Sequence, residues 1–187
     1  MPTHVALLRG INLGGHNKVA MADLREIVSS LGHSDVATYI QSGNVVFTSR
    51  ETDTARLAPA LERAIAKRLE VRPHVVVLSS AELSKVVADN PFPAEADPKC
   101  VHAVFRGTDL GPEEIAAVED AEQRAQQKGS RDEARVVGRT LFLHTPGGFG
   151  RSELATQMNR AGAAKVSAAG TARNWATVTK LLSLLDG

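Results

Sequence analysis

Basic and carboxamide side chains gather at three places in the chain, and the chemistry they share is recognition of a phosphorylated ligand. The first is LLRGINLGGHNKVAM (residues 7–21). Arg9, Asn12 and Lys18 stand there on a glycine-rich run between an apolar strand pattern and a helix pattern. That order can receive an anion through backbone N–H groups and nearby cations. The second is YIQSGNVVF (39–47), with Gln41, Ser42 and Asn44 at an expected hairpin tip. Carboxamides and hydroxyls both donate and accept hydrogen bonds, which suits sugar or base edges. The third is GTARNWATVTKL (170–181), where Arg173, Asn174, Thr177 and Lys180 surround an expected helix N-terminus. Asn174 or Thr171 is a residue type that caps such a start. Positions 173, 177 and 180 fall near one helical face.

Each stretch also has a plainer reading. The first fails as a nucleotide-hydrolysing P-loop. Gly10 and Gly15 have the right spacing, but His16 and Asn17 stand where Lys and Ser or Thr are required, and Lys18 is out of register. It does not match Gly-x-Gly-x-x-Gly either. What survives is a looser anion site, or simply a strand-to-helix turn. Ser-Gly-Asn at 42–44 is good turn chemistry without any ligand. Trp175, the only tryptophan, is read as a core anchor or as a ring covering a ligand. PGGFGRSEL (146–154) is one more glycine-rich approach to a helix, with Arg151 at its start, and could receive an anion or be a hairpin exit.

No catalytic set assembles. Six histidines are scattered without metal spacing, and no G-x-S-x-G elbow occurs. Cys100, the only cysteine, excludes an internal disulfide and a cysteine zinc site, and it reads as buried rather than nucleophilic. Asp23 is the only carboxylate close to the first stretch in sequence; first-turn dipole pairing explains it equally well. No metal and no cofactor is expected.

The elements that must position these residues alternate along the chain. Strand patterns at 4–9, 35–41, 44–49 and 74–80 enclose helix patterns at 21–32 and 52–70, an order of βαββαβ, which is ferredoxin-like. Thr52 or Asp53 caps the second helix, and Pro59 either kinks it or marks its start. A short helix at 80–90, capped by Ser80, leads into the proline-rich loop 91–99, the best boundary in the chain. Beyond it come a strand at 100–107, a helix at 111–127, two strands around Gly138-Arg139, a helix at 150–161 and a final helix at 174–185. The expected fold is α+β: a ferredoxin-like unit over residues 1–90, then a second, related α/β unit over 91–187. The sheets are expected to be mainly antiparallel with packed helices, the C-terminal helix returning to the first unit.

An internal echo supports the relation. VALLRGINLG (5–14) and HAVFRGTDLG (102–111) align without gaps through Arg-Gly-x-x-Leu-Gly. The second copy runs into Gly-Pro-Glu-Glu, an ordinary helix start. The first runs into Gly-Gly-His-Asn-Lys, which would not repel an anion. The shared glycines therefore read as structural, and the divergent polar residues as functional candidates.

Composition sets the outer bounds. The 187 residues carry 22 basic and 21 acidic side chains, a net charge of +1, so an anion site has to be local. Aromatic residues are only 4%, which leaves little on which bases could stack. The N-terminal residues lack a signal-peptide pattern and no apolar run is long enough to span a bilayer, so a cytoplasmic protein without membrane attachment is expected.

LLRGINLGGHNKVAMADLR, TYIQSGNVVF and GTARNWATVTKL resemble the signatures of a bacterial family known as conserved domain of unknown function 1697. The likeness extends over the chain and implies an α+β architecture with ferredoxin-like elements. It implies no activity. Family members commonly carry Lys at the position of His16 and Pro at that of Ala20, so an obligatory cation at position 16 is not implied.

The leading expectation joins the three stretches. Arg9, Asn12, Lys18, Gln41, Ser42, Asn44, Arg173, Asn174 and Thr177 would form one site between the halves for a nucleotide or nucleic-acid segment. Cations would meet phosphate and amides would read sugar or base. The alternatives are a small-molecule enzyme with Asp23, His16 or Lys18 as acid or base, and a structural or protein-interaction module whose motif residues bond to one another.

Overall fold

The computed structural model describes residues 1–14, 16–160 and 162–187; Gly15 of the opening loop falls outside them. The first half contains β1 (His4–Arg9), α1 (Met21–Ser30), β2 (Ser34–Tyr39), β3 (Asn44–Thr48), α2 (Thr54–Leu69), β4 (His74–Ser79) and α3 (Ser80–Ala88). The second contains β5 (Val101–Arg106), α4 (Pro112–Gln127), β6 (Glu133–Val137), β7 (Thr140–His144), a 3-10 turn (Phe149–Arg151), α5 (Glu153–Met158), α6 (Ala163–Ala168), β8 (Gly170–Asn174) and α7 (Trp175–Asp186). The chain divides into two units, one of Met1–Lys85 with Thr179–Gly187 and one of Val86–Val178.

Each unit holds a four-stranded antiparallel sheet, ordered β2-β3-β1-β4 in the first and β6-β7-β5-β8 in the second. The same βαββαβ order is thus used twice. In the first unit, Ala6, Leu8, Val45, Phe47, Val75 and Val77 present one face of the sheet to the helices. Leu24, Ile27 and Val28 of α1, and Leu57, Leu61 and Ile65 of α2, recur at three- and four-residue spacing and close that core. In the second unit Val104, Leu141 and Leu143 meet Val118, Ala121 and Ala125 of α4, Leu154 and Met158 of α5, and Val166 of α6.

Helix ends follow local chemistry. Asp53 caps α2 by accepting from Ala55 N–H at 2.9 Å, and Lys67 and Arg68 complement its last turn. Pro59 lies inside α2, five residues past its first, and does not mark the start. Ser79, not Ser80, caps α3: its hydroxyl accepts from Glu82 N–H at 3.2 Å while the Glu82 carboxylate accepts from Ser79 N–H at 2.8 Å. That reciprocal pair is a capping box, and it needs the Ser-x-x-Glu spacing that Ser80 lacks.

The second half departs most from the sequence reading. The expected helix at 150–161 is a 3-10 turn followed by the short α5, and α6 is an additional element that the sequence pattern does not show. Residues 170–174 are a strand rather than the approach to a helix. Arg173 and Asn174 therefore lie on β8, opposite Ala103 and His102 of β5, and do not share a helical face with Thr177 and Lys180. The strand's inward positions are Thr171 and Arg173, so no apolar alternation announces it. Gly170 lets it approach: a Cβ there would lie 2.7 Å from Val104 Cγ1 and 2.8 Å from the Phe105 carbonyl oxygen.

Candidate functional site

The opening loop begins where β1 ends. In the second unit the corresponding connection is short: Arg106 ends β5 and Gly111, five residues on, is the N-cap of α4. In the first unit the N-cap Ala20 comes eleven residues after Arg9. The difference is six residues, and within this longer connection Asn12 N–H donates to the Asn17 carbonyl at 3.1 Å and His16 N–H to the Leu13 carbonyl at 2.9 Å. The gapless echo is therefore not structural equivalence beyond the arginine. Leu110 is buried ahead of its cap, whereas Leu13 is 66% exposed and Val19 occupies the buried place before Ala20. The paired glycines differ too, since Gly10 and Gly14 have positive φ and Gly111 has φ −74°.

Asn12 fixes this connection. It adopts φ +55°, a left-handed conformation that asparagine tolerates better than most residues. Its Nδ2 donates to the Val19 carbonyl at 3.0 Å and the Gln41 carbonyl at 2.9 Å, and its Oδ1 accepts from Val19 N–H at 2.9 Å. Asn17 Nδ2 donates to the Gly10 carbonyl at 3.0 Å. The first and second motifs thus meet at one end of the sheet. Gly43 is part of the same joint: Leu8 N–H donates to its carbonyl, and a Cβ on it would lie 2.7 Å from Ile11 Cδ1. Asn44 is fully buried and donates to the Tyr39 carbonyl and Ser42 Oγ, both at 2.9 Å. Asn12 and Asn44 therefore hold backbone. Lys18, Gln41 and Ser42 are exposed, and Arg9 is half-buried.

Pairing adds groups that the sequence did not connect to Arg9. His74 lies directly opposite Arg9 across β1 and β4. His74, Arg72 and Arg63 line a surface cavity of about 530 Å³ together with Glu62. Glu62 is engaged by His74 Nδ1 at 3.1 Å and Val75 N–H at 2.8 Å. The signal that could have found these groups is antiparallel register, which joins the end of one strand to the start of another.

The third motif serves the second unit. Arg173 is buried and donates to Thr171 Oγ1 at 2.7 Å and the Ala172 carbonyl at 2.8 Å. Burial pushes its guanidinium down to about 10. Asn174 Oδ1 accepts from Thr177 N–H at 2.9 Å and caps α7, and Thr177 is buried. Trp175 packs beside Phe142 with ring centroids 6.0 Å apart. Cys100 is buried, which raises its thiol above the ordinary value. Asp23 lies in the first turn of α1. Among the described residues no group of histidine, cysteine and carboxylate side chains could hold a metal ion, and no helix is long and apolar enough to cross a membrane.

The glycine-rich loop and the hairpin tip belong to residues 1–142, over which the chain matches a family description reading protein of unknown function, DUF1697. The chain belongs to the DUF1697 family. The DUF1697 match ends within β7, so β8 and α7 lie beyond it. A conserved bacterial protein from Streptococcus pneumoniae has the same fold as this DUF1697 chain, with a TM-score of 0.74 and 24% identity over 98% of both chains. No curated protein matches it.

Proposed function

We propose that the tip of the first unit binds a phosphorylated ligand, a nucleotide or a nucleic-acid segment. One observation carries this reading. A loop and hairpin joined by the Asn12 hydrogen bonds present cations and neutral polar groups, and neither residues 9–20 nor residues 36–50 contain an acidic side chain. Arg9 and Lys18 meet the phosphate, with Arg72 at the neighbouring cavity adding positive charge. Gln41 and Ser42 hydrogen-bond to sugar or base. Asn12 and Asn44 act through the backbone they hold. Arg173, Asn174 and Thr177 stay outside the ligand set, being engaged within the second unit. A cytoplasmic location suits such a ligand and a single unpaired cysteine.

Calorimetric titration at low salt with ADP and with a short single-stranded oligonucleotide tests the proposal. One or both bind, and Lys18→Glu, at an exposed position, weakens binding at least about tenfold by reversing a charge at the phosphate. Absence of binding to the unsubstituted chain, or binding indifferent to Lys18→Glu, rejects it.

A partner-binding role is the second reading. Leu13 and Ile40 are 66% and 50% exposed and flank the Asn12–Gln41 hydrogen bond on the same tip. Such apolar side chains at a fixed polar joint suit a protein contact. Self-association in sedimentation that Leu13→Ser abolishes would favour it.

A further inference from the structure

A second concave site lies wholly within the second unit. Two loops build it: residues 128–132 after α4, and residues 146–153 from the end of the β6–β7 hairpin into α5. It encloses about 250 Å³. Its floor is a buried polar joint. The Asp132 carboxylate accepts from Ser152 Oγ at 2.8 Å and Leu154 N–H at 3.2 Å, which ties one loop to the other.

Charge around this floor is unbalanced in a specific way. Both lining carboxylates are already engaged: Asp132 in the joint, and Glu153 by Lys128 Nζ and Gln157 Nε2, each at 2.5 Å. These hydrogen bonds hold the Glu153 carboxyl below its ordinary value, so it stays ionised and stays with Lys128. Arg131 and Arg151 line the same cavity from opposite loops, and neither has a carboxylate partner among the described residues. Gly147 and Gly148 complete the wall without side chains, which lets a ligand approach the backbone closely.

We propose that this cavity binds the phosphate group of a small phosphomonoester, with Arg131 and Arg151 as its two charged ligands. Two guanidiniums on separate loops, beside a lysine that is already neutralised, match a compact dianion with several acceptor oxygens better than a single carboxylate. The volume fits a phosphate group with a small substituent and is below that of ordinary drug-sized pockets.

The test is titration of the full chain with inorganic phosphate, followed by amide NMR, with acetate as the comparison anion. Phosphate is expected to shift the Gly129, Gly147, Gly148 and Arg151 amides, and to bind more weakly as the pH falls through about 7, where inorganic phosphate takes up its second proton, about a unit above a phosphomonoester. The exposed double variant Arg131→Ala/Arg151→Ala is expected to lose these shifts or to need at least about tenfold more phosphate, the usual effect of removing charge-assisted hydrogen bonds. Lys18→Glu is expected to leave them unchanged, so this inference stands or falls independently of the tip of the first unit. Phosphate shifts absent from these amides, shifts surviving the double variant, or acetate binding as tightly as phosphate each overturn the proposal.

Discussion

Asn12 shows how one side chain can hold a loop that has no core of its own. It satisfies Val19 N–H, the Val19 carbonyl and the Gln41 carbonyl at once, from a backbone conformation that few residues adopt cheaply. Alanine at this position leaves a buried N–H unpaired and raises the cost of positive φ. Asn12→Ala is expected to lower stability by about 2 kcal/mol and to make the Val19 amide exchange rapidly with solvent. Slow exchange at Val19 in the variant would refute this role. Ile40 presents the opposite case. It is β-branched, half exposed and held at φ +50°, with no packing that requires its side chain on the core. Ile40→Gly is expected to stabilise the protein by about 1 kcal/mol in urea denaturation, because the left-handed penalty is removed. A destabilised variant would instead assign the side chain a packing role.

The elements were legible to the extent that they announced themselves through apolar periodicity. β1, β3, β4, β5 and β7 are runs of buried aliphatic and aromatic residues, and α1 and α2 carry their apolar positions at helical spacing. β8 is hidden for a physical reason: its inward residues are Thr171 and Arg173, and its place is secured by pairing with β5 and by the absence of a side chain at Gly170. The role of Asn12 was hidden in another way. Its residue type stands out in the glycine-rich run, but its partner Gln41 lies 29 positions away and is bonded through the backbone, which sequence spacing does not reveal. The longer connection between β1 and α1 is concealed by a short coincidental match of Leu and Gly to the second unit. At the scale of the strand, Gly170→Ala is the direct test. An added methyl would press on Val104 and on the Phe105 carbonyl, forcing β8 off β5, and a loss of about 2–4 kcal/mol is expected from overpacking at a backbone contact. Urea denaturation monitored by Trp175 fluorescence measures it, since Trp175 directly follows the strand. An unchanged midpoint would mean that β8 does not need the close approach.

Across the whole molecule, burial acts on histidines of both units in the same sense. Burial holds His4 and His33 of the first unit and His102 of the second below their ordinary value of 6.5; at His4 it outweighs the attraction of Glu82. Near neutral pH these rings are uncharged in both folded and unfolded chains and add no pH dependence. As pH falls through 6.5 the unfolded chain takes up protons that the folded protein resists, so it binds more protons and stability declines with falling pH. A second decline follows at lower pH. Asp35, Glu95, Glu114 and Glu153 are held below ordinary carboxyl values by hydrogen bonds, led respectively by Thr48, His144, Arg106 and Lys128. Their contribution is complete above the ordinary values of 3.8 for Asp35 and 4.5 for the three glutamates, and it disappears as pH drops through the lowered folded values. The urea midpoint is therefore expected to be flat just above pH 6.5, to fall in one stage beginning there, and to fall in a second stage below about pH 4.5. His102→Gln should reduce the first stage, leaving the share of His4 and His33, and keep the second in place, because His102 Nδ1 is buried without a hydrogen-bond partner among the described residues. A midpoint constant from pH 7 to 5 would show that the three histidines protonate as freely in the folded protein as in the unfolded chain.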